Sequence, residues 1–165
     1  MGNIRVATPE DCINLAALSV LVWFDTYALE GVRSEYSKYA LSTFTEAYFL
    51  DLLARSNYQC LVCEKDSTLQ GFVLVNLESH YENEANGYEV EKLYIHRLHK
   101  GQGIGKALLN DVAHRFGDVF WLYTWEESDA NSFYTHIGLT LAGRYQFTFS
   151  QSEIVNNVYV SYANN

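Results

Sequence analysis

Between residues 99 and 109 the chain reads HKGQGIGKALL, where Gly101, Gly103 and Gly105 alternate with single residues and an apolar helix pattern begins at once. The stretch just before it, YEVEKLYIH, has the β-branched and aromatic content of a strand. Strand, glycine-rich turn and helix in direct succession constrain the chain to an α/β architecture. Glycine admits positive φ and lets another molecule approach the backbone closely. The unpaired N–H groups of a helix N-terminus attract anions. The segment is therefore a candidate phosphate cradle.

Spacing decides among the phosphate classes. A nucleoside triphosphate loop, G-x-x-x-x-G-K-[ST], requires glycine at 100 and Ser or Thr at 107, where the chain has Lys100 and Ala107. The dinucleotide fingerprint G-x-G-x-x-G requires a glycine at 106, where Lys106 stands. Both classes fail. What fits is [R/Q]-x-x-G-x-[G/A] between a strand and a helix, laid on Lys100 to Gly105 with lysine at its first position.

The rest of the chain reads as one domain spanning 1–165, without repeats, low-complexity segments or a linker. A short strand at Ile4-Arg5-Val6 precedes a helix start at Thr8-Pro9-Glu10-Asp11, with Thr8 as N-cap and proline in the first turn. A polar connection holding Gly31 and Ser34 leads to a second helix from about 45 to 54. QCLVCEK and QGFVLVNL flank a turn and predict a hairpin. Helix 104–116 carries the apolar face Leu108, Leu109, Val112, Ala113 and Phe116. The strand VFWLYTW, a short helix after Asp129, and the strands RYQFTF and VNNVYVSY complete a single mixed sheet.

In order and spacing, four pieces together resemble the GNAT superfamily of acetyl-CoA-dependent N-acetyltransferases: the opening IRVATPED, the strand EVEKLYIH, the glycine loop, and WEESDANSFYTHIGL. The resemblance covers nearly the whole chain. It implies an α/β GNAT fold, with a mostly antiparallel sheet flanked by helices and a central strand pair that splays apart. It implies acetyl-CoA as co-substrate, its pyrophosphate held by Gly101, Gly103, Gly105 and the N–H groups of Gln102 to Lys106, Ile104 included. Pantetheine would lie along Leu93, Tyr94 and Ile95 like an added strand, with an N–H near Leu93 polarising the acetyl carbonyl. Within the superfamily the resemblance is loosely to bacterial spermidine/spermine-type members, through Phe24-Asp25-Thr26-Tyr27. The asparagine common in the W-E-x-N motif is missing, and Glu127, Ser128 or Asn131 stands near its place.

Transfer to an amine needs a neutral amine and a proton for the departing thiolate. Tyr134 matches the tyrosine that acts as general acid in the family. Glu89 and Glu91 are the candidate bases, the first aligning with the glutamate of histone-type members and the second with one frequent in small-molecule members. Regular alternation puts both on one face with Leu93 unless a bulge intervenes. Tyr27, Trp125, Glu82 and Glu84 are candidates for receiving a cationic amine by charge and cation–π attraction. Two alternatives stay open: a catalytically silent acetyl-CoA-binding module, and a protein or peptide N-acetyltransferase.

Charge bears on partners. Eleven Lys and Arg against twenty Asp and Glu give a net charge of −9, which disfavours nucleic acid and predicts a small cationic, polyamine-like amine as acceptor. Three cysteines fit a reducing compartment; Cys60 and Cys63 lie in a strand candidate, pointing to opposite faces, and no Cys/His set for a metal is expected. No apolar run reaches the ~20 residues of a membrane helix, so a cytoplasmic protein is the expectation. The aromatic-rich final strands could serve a homodimer.

Overall fold

Continuous apolar runs, buried on both faces, form the antiparallel hairpin of β2 (Tyr58–Lys65) and β3 (Thr68–Asn76). Its turn residues Asp66 and Ser67 have φ of 51° and 62°, the geometry that matches the twist of a two-residue hairpin. The computed structural model describes residues 2–149 and 151–161. Over that span the hairpin belongs to a seven-stranded sheet ordered β1-β2-β3-β4-β5-β7-β6. Its other members are β1 (Asn3–Val6), β4 (Tyr88–Ile95), β5 (Phe120–Trp125), β6 (Thr140–Phe149) and β7 (Ser152–Val160). Neighbours are antiparallel except β4 and β5. This is the mixed, open sheet that the sequence predicts.

Helices α1 (Cys12–Tyr27), α2 (Ser34–Thr43) and α3 (Glu46–Leu53) precede the hairpin, and α4 (Ile104–Phe116) and α5 (Ala130–His136) follow β4 and β5. The sequence reading had a polar connection where α2 lies. SEYSKYALST buries only Ala40, so its periodic signal is faint. Tertiary contact supplies what propensity lacks: the rings of Tyr36 and Tyr39 lie 5.5 and 5.2 Å from that of Trp23 on α1.

Each face of the sheet has its own core. On one, Leu15, Leu18, Phe49 and Leu52 of α1 and α3 pack with Cys60, Val62, Phe72 and Leu74. On the other, Leu108, Leu109, Val112 and Tyr134 of α4 and α5 pack with Leu61, Val73, Val75 and Leu122. We name these the α1 face and the α4 face. Cys60 and Cys63 fall on different faces, and the three cysteines are free.

Two features of β4 shape what lies between the faces. First, it pairs with β5 only at Tyr88↔Phe120 and Glu89↔Trp121. Gly87 permits this close approach: its φ is 77°, and a Cβ would sit 1.9 Å from the carbonyl oxygen of Val119. Beyond Glu89 the strands diverge, β4 staying with β3 and β5 with β7. The notch opens at the carboxyl ends of both strands.

Second, β4 carries a bulge. Leu74 pairs with Lys92 and Val75 with Val90, so Glu91 is an extra residue. Val90 and Leu93 therefore share the α4 face with Val73 and Val75, while Glu89 and Lys92 share the α1 face. Regular alternation, which groups Glu89 and Glu91 with Leu93, does not hold.

Candidate active site

The glycine loop becomes an anion cradle through backbone geometry. Gly101 and Gly103 adopt φ of 78° and 83°, which costs a side-chain-bearing residue ~1–2 kcal/mol. Gly103 is the N-cap of α4, and its carbonyl accepts the N–H of Ala107 at 3.0 Å. The N–H groups of Ile104, Gly105 and Lys106 are thus those that the helix leaves without an internal acceptor. The exposed side chains of Lys100, Gln102 and Lys106 surround them. Just upstream, His96 and His99 are half-buried with rings 5.8 Å apart. Nδ1 of His99 is buried without a hydrogen-bond partner among the described residues. Orphan donors and cations in one loop fit a pyrophosphate.

Gly105 has a different reason to be glycine from the one its spacing suggests. It is buried, and a Cβ there would meet Phe133 Cζ at 3.1 Å and Leu93 Cδ2 at 3.8 Å. It lets α4 lie close against α5 and β4, rather than clearing the way for a ligand.

Along the notch, Leu93, Tyr94 and Ile95 pair with Val73, Phe72 and Gly71 of β3. Their other edge faces the gap left by β5, which suits an extended chain bonding as a strand would.

Glu89 occupies the apex of the notch on the α1 face, in the last residue pair before the strands part. It is only 7 % exposed, and its Oε1 accepts a hydrogen bond from Ser79 Oγ at 2.8 Å. Burial pushes its pKa up and Glu91 adds to this, while Ser79 and Lys92 act against it. Glu91 lies 3.6 Å from Lys92 Nζ. Aromatic rings wall this side. Tyr27 of α1 stacks obliquely on Trp125 of β5 at 5.3 Å, so these two candidates for amine contact do meet. Tyr39 and Phe44 lie 6.2 Å apart, and Phe44 and Tyr48 6.3 Å. A cleft of about 380 Å³ adjoins Tyr27, formed by Tyr36 and the connection 28–33. Glu82 and Glu84 are exposed in the connection 77–87, which packs on the sheet through Tyr81 and Trp121.

Tyr134 belongs to the opposite face. It is 7 % exposed, its ring 5.7 Å from that of Tyr159 on β7. Its neighbour Phe133 reaches Gly105 of α4, beside Leu93 of β4, so α5 bridges the notch from below. Burial, and then Tyr159, raise the phenol's pKa and keep it protonated. The turn before α5 is held by Asn131. Its Nδ2 donates to the carbonyls of Trp125, Glu126 and Ser128 at 2.9, 3.1 and 2.8 Å. Its Oδ1 accepts from Asn157 Nδ2 at 3.0 Å and the Tyr159 hydroxyl at 2.8 Å. An amide so engaged holds its own loop. Ser79, Tyr48 and Lys92 carry no motif or periodicity that marks them in the sequence; the bulge and the α3 packing bring them to the site.

Comparison with known proteins agrees with this fold. Residues 25–139 fit the model of the acetyltransferase (GNAT) family. An uncharacterized N-acetyltransferase in the pepI 3′ region of Lactobacillus delbrueckii subsp. lactis is 23% identical over 156 residues, 89% of this chain and 90% of that protein. Among solved structures, the PaiA N-acetyltransferase of Thermoplasma acidophilum in complex with coenzyme A superposes with a TM-score of 0.74 at 22% identity, covering 93% of this chain and 96% of the other. YncA from Salmonella typhimurium, with its cofactor acetyl-CoA, gives 0.64 at 20% identity over 96% and 91% of the two chains. The chain belongs to the acetyltransferase (GNAT) family. It is an acyltransferase, an N-acetyltransferase dependent on acetyl-CoA. Among the described residues no helix is long and apolar enough to cross a membrane.

Proposed function

We propose that the enzyme acetylates a small cationic primary amine, a class that includes polyamine-like acceptors, by direct attack in a ternary complex. The observation that supports this reading is that Glu89, at the apex of the notch, and Tyr134 lie on opposite faces of the sheet. A base on one side and an acid on the other suit a reaction in which the nucleophile enters from one face and the leaving group departs towards the other.

Acetyl-CoA supplies an acetyl thioester as the electrophile. The cradle residues Gly101, Gln102, Gly103, Ile104, Gly105 and Lys106 hold its pyrophosphate, and the β4 edge at Leu93, Tyr94 and Ile95 orients its arm. Glu89 takes a proton from the incoming ammonium, directly or through water; its raised pKa makes it a stronger base than an exposed carboxylate. Glu91 sustains the negative field beside it. Tyr134 delivers the proton that the leaving thiolate needs. Tyr27 and Trp125 offer ring faces to the amine's cationic or apolar body. Two copies pairing through the edge strand β6, with its exposed Leu141, Tyr145 and Phe147, is the dimer this reading supports; sedimentation tests it.

The deciding experiment is release of free thiol from acetyl-CoA across a panel of monoamines, polyamines, amino acids and peptides. Thiol release with cationic small amines is the expected result. Release only with peptides would make this a protein-modifying enzyme, and release with none would leave the acceptor reading without support.

A further inference from the structure

Lys92 is a cation on the α1 face of the notch for which the mechanism above has no use. Its side chain is 12 % exposed, with Nζ 3.6 Å from Glu91 Oε1. The same ammonium lies 5.5 Å from the ring centroid of Phe44 and 5.9 Å from that of Tyr48. A carboxylate and two ring faces are the surroundings that a buried ammonium requires. They are also the surroundings that an amine substrate would seek. The protein has filled one such position with its own side chain.

The bulge at Glu91 is responsible. With regular alternation, Lys92 would turn to the α4 face among Val73 and Val75, and the acceptor side would hold Glu89 and Glu91 without a counterion. With the bulge, Lys92 shares the α1 face with Glu89. Lys92 pairs with Glu91, so of the two carboxylates and one ammonium a single uncompensated negative charge is left, that of the base Glu89 itself.

We propose that Lys92 is a specificity-determining residue that admits one ammonium and opposes a second, so that the acceptor is a primary monoamine with an apolar or aromatic tail rather than a diamine or polyamine. This narrows the acceptor class given under Proposed function and rests on that reading of the α1 face as the acceptor side. The reacting ammonium of such a substrate comes to Glu89, and its tail lies on the rings of Tyr27, Tyr39 and Trp125. A second ammonium directed towards Phe44 and Tyr48 meets the charge of Lys92; burial pulls its pKa down, and Glu91 and Glu89 uphold the charged form. Specificity of this kind comes from a repulsive element, not an added attraction.

The test compares hexylamine with hexamethylenediamine, which differ by one terminal ammonium. Thiol release is measured for the wild type, Lys92→Met and Lys92→Arg, each checked for folding by circular dichroism. The wild type should favour hexylamine in kcat/KM by about tenfold or more. Lys92→Met should bring the ratio to about one or reverse it, and Lys92→Arg, which keeps the charge, should retain the preference. A wild type that prefers the diamine overturns the proposal. So does a ratio that Lys92→Met leaves unchanged, or one that both variants shift alike. If no amine in the wider panel releases thiol, the acetylation reading fails by itself. Calorimetric titration of the two amines into the protein with coenzyme A then measures the charge preference without turnover, and tighter binding of the diamine overturns it. Should Lys92→Met not fold, the wild-type ratio alone decides.

Discussion

The carboxylate of Glu89 accepts a hydrogen bond from Ser79 Oγ at 2.8 Å, and the carbonyl of Ser79 in turn accepts from Trp121 Nε1 at 3.0 Å. The indole thus fixes the segment that holds the base. Because the bond from Ser79 favours the charged carboxylate, it moderates the upward pull of burial on the Glu89 pKa. A base must be ionised to act, so the acid limb of the kcat/KM profile should lie above the ordinary carboxylate range. Ser79→Ala removes the donor and should move that limb to higher pH. A limb that stays in place would mean that Glu89 is not the titrating group.

The same raised pKa links Glu89 to stability. A carboxyl with a higher pKa in the folded state binds more protons folded than unfolded. Its stabilising contribution is full below the unfolded pKa and is lost as pH rises through the folded pKa. At neutral pH ionised Glu89 therefore opposes folding. Glu89→Gln should raise Tm, by ~2–4 °C for each kcal/mol recovered, while kcat falls ~10²–10⁴-fold. Thermal unfolding and steady-state kinetics on one preparation check both signs. A variant that loses activity and Tm together would have lost its structure instead.

Tyr134→Phe keeps the ring packed against Tyr159 and removes only the hydroxyl. If Tyr134 supplies the proton to the thiolate, turnover should fall by ~10²-fold or more, with little change in acetyl-CoA affinity measured by calorimetry. Equal losses in turnover and affinity would assign Tyr134 to binding.

Gly105→Ala tests why that residue lacks a side chain. A Cβ there must push Phe133 Cζ from 3.1 Å, shifting α4 relative to α5 and with it the N–H groups of the cradle. The KM for acetyl-CoA should rise several-fold, and Phe133→Leu in the same chain should recover much of it by giving the methyl room. Failure of the second change to help would show that the added methyl blocks the coenzyme directly.

Asn131→Ala removes an amide that ties three carbonyls of one turn to two side chains of β7. Half-buried groups lose their partners, and a loss of about 2–4 kcal/mol is expected from urea denaturation. Asn131→Asp keeps the acceptor and loses the donors, so it separates the two halves of the junction.

The parts of this molecule legible in its sequence are those with local signals. Alternating glycines and an immediate helix period marked the cradle, and two apolar runs on either side of a turn marked the β2–β3 hairpin. Helix α2 escaped because one buried alanine in ten residues leaves no period to read. The bulge leaves only a faint mark, two polar residues in succession at Glu91-Lys92, and only the pairing with β3 shows which residue is extra. Gly105 belongs to a run of three alternating glycines, so spacing could not tell the one that faces the core from the two with positive φ. Asn131 looked like a displaced ligand contact because its partners, Asn157 and Tyr159, stand more than twenty residues away. The splayed strand pair was reached by resemblance alone; nothing in FWLYTW announces that its pairing with β4 ends after Trp121.

The extra residue at Glu91 has a consequence for how such a strand can change through descent. Up to Val90 its side chains follow one phase, and from Lys92 onward the other. Point substitution alters a single side chain and leaves both phases intact. Deletion of Glu91 would remove only the extra residue and leave Glu89 and Lys92 on the α1 face, whereas a register that pairs every residue regularly would send Lys92 to the α4 face or Glu89 away from the notch. The chemistry of this wall is therefore carried as a reading frame of the strand as much as by its letters, and two chains with the same seven letters in a different frame would present different walls to an amine.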